Sequence, residues 1–500
     1  MNCAIGGNEG FFVMNRIWSM NLRTYLCMLY NAYAINAVLG NCPGKCLCES
    51  SNKVQCQDET ITEIPSNIPH ETINLFISRT RISALNSNDI ELLVSLRYFT
   101  FEKSELSTVM PSTFQNNVLL NDLHLMENKL QDLPVQLFSS LQNLQRLFLS
   151  GNKISHLPQE LFRGLGELRQ LDLSKNALRV IPEGIFDDLS NLESLSLKDN
   201  QIEHLPSNLF SSLENLVTLY LSRNNLVRLP EGIFLHVTRL QKLSLFQNRL
   251  ENLGTSVFGP LLLTELWLYS NNLTRLEDGI FRNLTKLQLL ILSRNSICSV
   301  SAGAFAGLSD LREVSLHTNR LVSLEEGTFA HLNNLVNISL RHNQIQSLPR
   351  GIFHNLPRLR CVNLHDNSLY NLHTELLNSL QDTEEIVLSQ NPWRCDHDII
   401  PFRNWLQAHW SKVPNLTSVV CQTPLNLSRI NIAKLTDKDL GRYKRFLSRA
   451  MTLIAVTLIS TSVISITFLC CLFRRSLDRK YCLSNFSRDS LTSANVQAPQ

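Results

Sequence analysis

L-R-Q-L-D-L-S-K-N-A-L, from Leu168 to Leu178, is the stretch from which the rest of the chain can be read. The same frame, L-x-x-L-x-L-x-x-N-x-L, returns every 24 residues. Its asparagine stands at Asn128, Asn152, Asn176, Asn200, Asn224 and Asn248, slips by one to Asn271, and resumes at Asn295, Asn319, Asn343, Asn367 and Asn391. Self-similarity at this period means a solenoid of stacked coils, because one coil cannot bury its leucine face alone. Weaker units run upstream, with Thr80 and Ser104 in the asparagine position, so about 14 units fill residues 71–391. A second column keeps step on the return side of each coil: Phe114, Phe138, Phe162, Phe186 and onward to Phe353. Both columns read as scaffold. The asparagine amide can satisfy backbone groups that the turn after the strand leaves unpaired. A solenoid presents an extended concave surface, so binding rather than catalysis is the expected class of function.

The ends need caps, since a terminal coil exposes its core leucines. Before the array stand Cys42, Cys46, Cys48 and Cys56, which could bind zinc or form two disulfides. Their place ahead of a secreted-type array favours disulfides. After it comes N-P-W-R-C-D-H-D-I-I-P-F-R-N-W-L from Asn391, then Cys421. Asp396, His397 and Asp398 could be a metal cluster or a polar turn. No H-E-x-x-H motif supports the metal, and no metal or other cofactor is expected. Cys298 and Cys361 lie in separate repeats and are expected as buried thiols. N-x-S/T sequons at Asn272, Asn283, Asn337, Asn415 and Asn426 point with the cysteines to the secretory pathway.

Residues 450–473 carry no charge and are long enough to cross a bilayer. Basic residues flank both sides, so charge alone does not orient the span. The cysteine-capped, sequon-bearing region must lie outside, which gives a single-pass type I plasma-membrane protein. The expected organisation is an N-terminal extension and signal (1–40), a cysteine-rich cap (41–70), repeats (71–391), a second cap (392–424), a short stalk (425–449), the span (450–473) and a cytoplasmic tail (474–500). That tail is too short for a folded domain. Cys470, Cys471 and Cys482 are candidate palmitoylation sites at the inner membrane edge. The formal charge of +3 and 44% hydrophobic content are ordinary. They give no reason to expect nucleic acid, and no phosphate loop or nucleophile elbow suggests a small-molecule substrate or an enzyme.

The runs T-E-L-W-L-Y-S-N-N from Thr264, L-I-L-S-R-N from Leu290, L-R-E-V-S-L-H-T-N from Leu311 and N-I-S-L-R-H-N from Asn337 narrow the reading. Together with the cap from Asn391, they resemble the group of capped extracellular leucine-rich repeat proteins around leucine-rich repeat-containing protein 15. Platelet glycoprotein V and the non-catalytic subunit of carboxypeptidase N are more distant members. The resemblance covers about Cys42 to Pro424. It implies an α/β-type leucine-rich repeat solenoid, a horseshoe with a concave parallel β-sheet, disulfide-capped at both ends. One transmembrane helix completes the expected fold. The N-terminal cap of such proteins pairs first with third and second with fourth cysteine, giving Cys42–Cys48 and Cys46–Cys56. In the C-terminal cap His397 replaces the usual second cysteine, leaving a single bridge, Cys395–Cys421. The resemblance also implies binding to extracellular matrix proteins of the collagen, fibronectin or laminin class, in cell–matrix adhesion and migration. The alternative is a non-catalytic subunit of a receptor complex. One departure is the stalk, which is long in the family and short here.

Side chains alternate along a strand, so residues between the frame leucines face the concave side. There Phe148, Tyr220, Phe246, Trp267 and Tyr269 form the candidate binding set. Tyr220, Phe246 and Tyr269 are expected to rim Trp267, and clustered aromatics are favourable contact residues. Asn337 also falls on a concave position, where a glycan would direct contacts towards the central repeats.

Overall fold

The computed structural model describes residues 42–50 and 52–440. Each strand of a regular unit is only three residues long, as in Gln170–Asp172 and Ser194–Ser196. Its central leucine points inward and is buried, while its neighbours face outward, as the two-residue alternation of a strand requires. The strands join one sixteen-stranded sheet. It opens with an antiparallel hairpin, Cys46–Ser50 against Lys53–Cys56. From there every pairing is parallel, as far as Glu385–Val387. Equivalent leucines sit in register: Leu171, Leu195, Leu219, Leu243, Leu266 and Leu290.

The asparagines tie each coil to the one before it. The Asn200 amide donates to Leu173 O at 3.0 Å in the preceding coil and to Leu197 O at 3.1 Å in its own. Its Oδ1 accepts from the backbone N–H of Leu178 at 3.1 Å. At the upstream end Ser104 does part of this with a hydroxyl, accepting from Thr80 N–H at 2.9 Å. The short unit is absorbed without loss of register. Leu243 still pairs with Leu266, and Asn271 bonds to Leu245 O at 3.0 Å and Leu250 N at 3.1 Å.

On the opposite side the phenylalanine rings form a buried stack. Phe138 and Phe162 lie 6.5 Å apart with planes 3° from parallel, and Phe305 and Phe329 lie 5.9 Å apart. Burying each ring contributes about 1.5–3 kcal/mol. Strands in a sheet are spaced about 4.8 Å apart. The coils are therefore closer together at the sheet than at the rings, which bends the solenoid with the sheet on its inner face.

The return side corrects the α/β expectation. Among the described residues, α-helix is confined to Ser87–Ile90, Thr374–Ser379, Ile400–Ala408 and residues 437–440. The other coils return through turns. Segments such as I-P-E-G-I-F (Ile181–Phe186) and L-P-E-G-I-F (Leu229–Phe234) explain this: proline interrupts helical hydrogen bonding, and Gly184 and Gly232 adopt positive φ near 70°.

Both ends are closed. Cys42–Cys48 and Cys46–Cys56 staple the opening hairpin. At the other end Cys395–Cys421 joins Trp393–Arg394 to Cys421–Thr423. Trp393 and Phe402 are fully buried with rings 4.7 Å apart, covering the last coil. Asp396 serves the local turn, accepting from Asp398 N–H at 3.0 Å and pairing with Arg394.

This cap is larger than expected. Leu427, Ile432, Leu435 and Leu440 are all buried in it. Gln407 donates to Ala433 O at 2.8 Å, and the Arg403 guanidinium pairs with Asp437 at 2.7 Å. Residues 425–440 are thus cap rather than stalk, because their spaced apolar side chains complete the surface that Ile400–Ala408 leaves open. Two cysteines also differ from expectation. Cys361 is disulfide-bonded rather than a thiol, and Cys298 is only half-buried. No helix among the described residues is long and apolar enough to cross a membrane. The signal, the span at 450–473, and Cys470, Cys471 and Cys482 lie outside the described residues.

Candidate binding surface on the concave sheet

The parallel register places Phe148, Asp172, Ser196, Tyr220, Ser244 and Trp267 in one row across six neighbouring strands. Phe246 and Tyr269 belong to the adjoining row, just past the ends of their strands. All five candidate aromatics are half-buried. Three of them come together. Phe246 and Tyr269 stack face to face, 4.5 Å apart and 7° from parallel. Trp267 is tilted against Tyr269 at 6.3 Å, and its indole N–H donates to Glu265 at 3.3 Å. The Lys198 ammonium stands 6.0 Å from the Phe246 ring centre, within cation–π range.

Tyr220 departs from the expected rim. It lines, with Phe148, a separate depression of about 360 Å³ whose other lining residues include Gln170, Asp172, Ser194, Ser196 and Lys198. The row explains the division. Between Phe148 and Tyr220 stand two short polar side chains, Asp172 and Ser196, which leave room. Between Tyr220 and Trp267 stands only Ser244. The Ser244 hydroxyl is buried without a hydrogen-bond partner.

A polar cluster beside Phe148 carries no motif that would have announced it. His124 packs edge-on against Phe148 at 4.6 Å. Burial holds the imidazole below its usual pKa; Arg146 acts in the same direction and Asp122 opposes it. Asp122 is buried and ion-paired with Arg146, and its hydrogen bond raises the guanidinium further. Downstream, the His342 and His365 rings meet edge-on at 5.4 Å. Burial, aided by His342, likewise lowers His365. Among the described residues no group of three or more His, Cys, Asp or Glu is arranged to hold a metal ion.

Asn272, Asn283, Asn415 and Asn426 are exposed. Asn337 is half-buried on the strand Asn337–Ser339, its amide donating to Glu313 at 3.3 Å. No sequon precedes Asn272, so the units carrying Phe148, Tyr220 and Phe246 contain none.

A family model described as leucine rich repeat matches residues 118–178, 168–226, 261–321 and 309–369. Mouse nephrocan is 36% identical over 110 residues, 22% of this chain and 21% of its own length. Human leucine-rich repeat-containing protein 15 is 38% identical over 93 residues, 18% of this chain and 16% of its own. The chain thus spans less than a quarter of either curated relative. Among solved structures, a leucine-rich repeat protein of Leptospira interrogans superposes with a TM-score of 0.57 at 26% identity, covering 70% of this chain and 93% of that one. With the repeating frame, the single parallel sheet and the asparagine ladder, these matches make the chain a leucine-rich repeat protein.

Proposed function

We propose that this chain is a non-enzymatic cell-surface receptor whose concave sheet binds an extracellular protein. The observation that carries the reading is the group of half-buried aromatics on adjoining concave strands, in units mostly free of sequons. Aromatic side chains that keep one face accessible while the other is packed are favourable anchors for a partner. The partner class is extracellular matrix protein, and the orientation is type I in the plasma membrane. Both rest on the family resemblance and on the apolar stretch at 450–473. A second reading, a subunit assembled with another membrane protein, gains support from the cap. Its fold continues to Leu440, leaving nine residues before that stretch and keeping the repeats close to lipid. The test expresses the full chain on cells and measures adhesion to collagen, fibronectin and laminin surfaces. Saturable adhesion lost on disrupting Trp267 supports the matrix receptor. Co-purification with one integral membrane protein, without adhesion, replaces it with the second reading.

A further inference from the structure

We propose that the depression between Phe148 and Tyr220 receives an arginine side chain of the partner, with Asp172 as its counter-charge. This deepens the concave-face reading and rests on it. Asp172 is half-buried on the row between the two rings. One of its oxygens accepts from Ser174 N–H at 2.9 Å, which fixes the carboxylate and leaves the other oxygen available. Neighbouring acids are already matched. Asp122 is paired with Arg146, and Asp199 with Arg223 at 3.3 Å and Lys198 at 3.8 Å. Among the described residues no cation is paired with Asp172. The depression therefore combines two aromatic walls with one uncompensated carboxylate.

A planar cation fits that combination best. A guanidinium can stack on an aromatic face while its N–H groups fork onto a carboxylate, whereas an ammonium is a point charge with a stronger hydration shell. Gln170, Ser194 and Ser196 add neutral oxygen acceptors to the lining. Two lysines also line the depression. Lys198 is engaged by Asp199 and by the Phe246 ring, and Lys175 is exposed on the loop after the strand. Neither is paired with Asp172 within ion-pair distance.

The test uses the detergent-solubilised full chain and three probes: N-acetylarginine methylamide, its citrulline analogue and N-acetylglutamate methylamide, each followed by saturation-transfer NMR. The arginine probe should bind at least about tenfold more tightly than the neutral citrulline probe, which has the same shape. Asp172→Asn, which keeps an acceptor for Ser174 N–H, should remove that difference. Tyr220→Ala should weaken the arginine probe several-fold. Equal binding of arginine and citrulline probes, or an unaltered preference in Asp172→Asn, overturns the proposal. So does preferred binding of the glutamate probe that is lost on replacing Lys175 and Lys198. Cell adhesion separates the two levels of inference. Adhesion that persists unchanged in Asp172→Asn removes the arginine pocket and leaves the receptor reading intact. An Asp172-dependent arginine preference without any adhesion or partner does the reverse.

Discussion

At the scale of single residues, Leu266 and Trp267 are adjacent in sequence and opposite in role. Leu266 is fully buried between Leu243 and Leu290, so Leu266→Ala should cost about 2–5 kcal/mol in a denaturant titration. Trp267 is half-buried, touching Tyr269 and Glu265, so its removal should cost only about 1 kcal/mol. Partner affinity should nevertheless fall by about 2 kcal/mol, roughly thirtyfold. Unchanged affinity in a folded Trp267→Ala chain would move the contact to another face. The histidines predict a pH dependence. His124 and His365 are both held below the ordinary value near 6.5, so between their folded and unfolded pKa values the unfolded chain binds more protons. Their contribution is complete above about pH 6.5 and is lost on acidification through the folded values. Denaturation midpoints should therefore fall as pH drops from about 7 to 5, and His124→Gln with His365→Gln should flatten that slope. An unaltered slope in the double variant would assign the effect to other groups.

At the scale of the repeat element, close contacts between coils limit what the return side tolerates. Gly307 has φ of +91°, and a Cβ there would lie 2.3 Å from the Arg282 carbonyl oxygen. Gly307→Ala should cost about 2 kcal/mol or more, measured by the thermal or denaturant midpoint, and a neutral result would mean the two coils can separate locally. Gly232, which also has positive φ but no atom near its missing Cβ, is the comparison that isolates strain from contact. The elements were legible because the signal repeats. Leu171, Asn176 and Phe186 each recur in the same frame, and a pattern seen many times outweighs the weak propensity of a three-residue strand. The α/β type implied by the resemblance did not carry to most return segments, and the phenylalanine column could not decide it, because its period reports burial, not backbone conformation. Residues 425–440 escaped the reading for a related reason. Leu427, Ile432, Leu435 and Leu440 follow no strand or helix period, and only the packed cap gives them a common surface. The aromatic set was found from strand alternation, but its division was not. Whether Tyr220 joins Trp267 or Phe148 depends on side-chain direction across rungs, which the alternation rule does not specify.

For the whole molecule, the cap and the apolar stretch beyond it set the test of placement. In cells expressing the full chain, glycosidase should increase its gel mobility, and antibodies to the C-terminal cap should stain intact cells. An unglycosylated chain with Cys42 and Cys56 reduced would overturn the extracellular assignment. The register carries a further consequence. From Asn152 to Asn248 each asparagine offers its neighbours the same donors and acceptor, so these coils have interchangeable upper and lower surfaces. Excising residues 173–196 would join Asp172 to Leu197, preserving the repeat frame, whereas removing half as many residues would bring unlike surfaces together. The 24-residue excision should keep a single cooperative unfolding transition, and the shorter one should lose it. The same excision would bring Phe148 and Tyr220 closer by one strand spacing, about 4.8 Å. The breadth of the recess they enclose is therefore quantised. It is written in whole coils, and a lineage could retune it by duplicating or dropping a unit while keeping Phe148, Asp172 and Tyr220 in its lining.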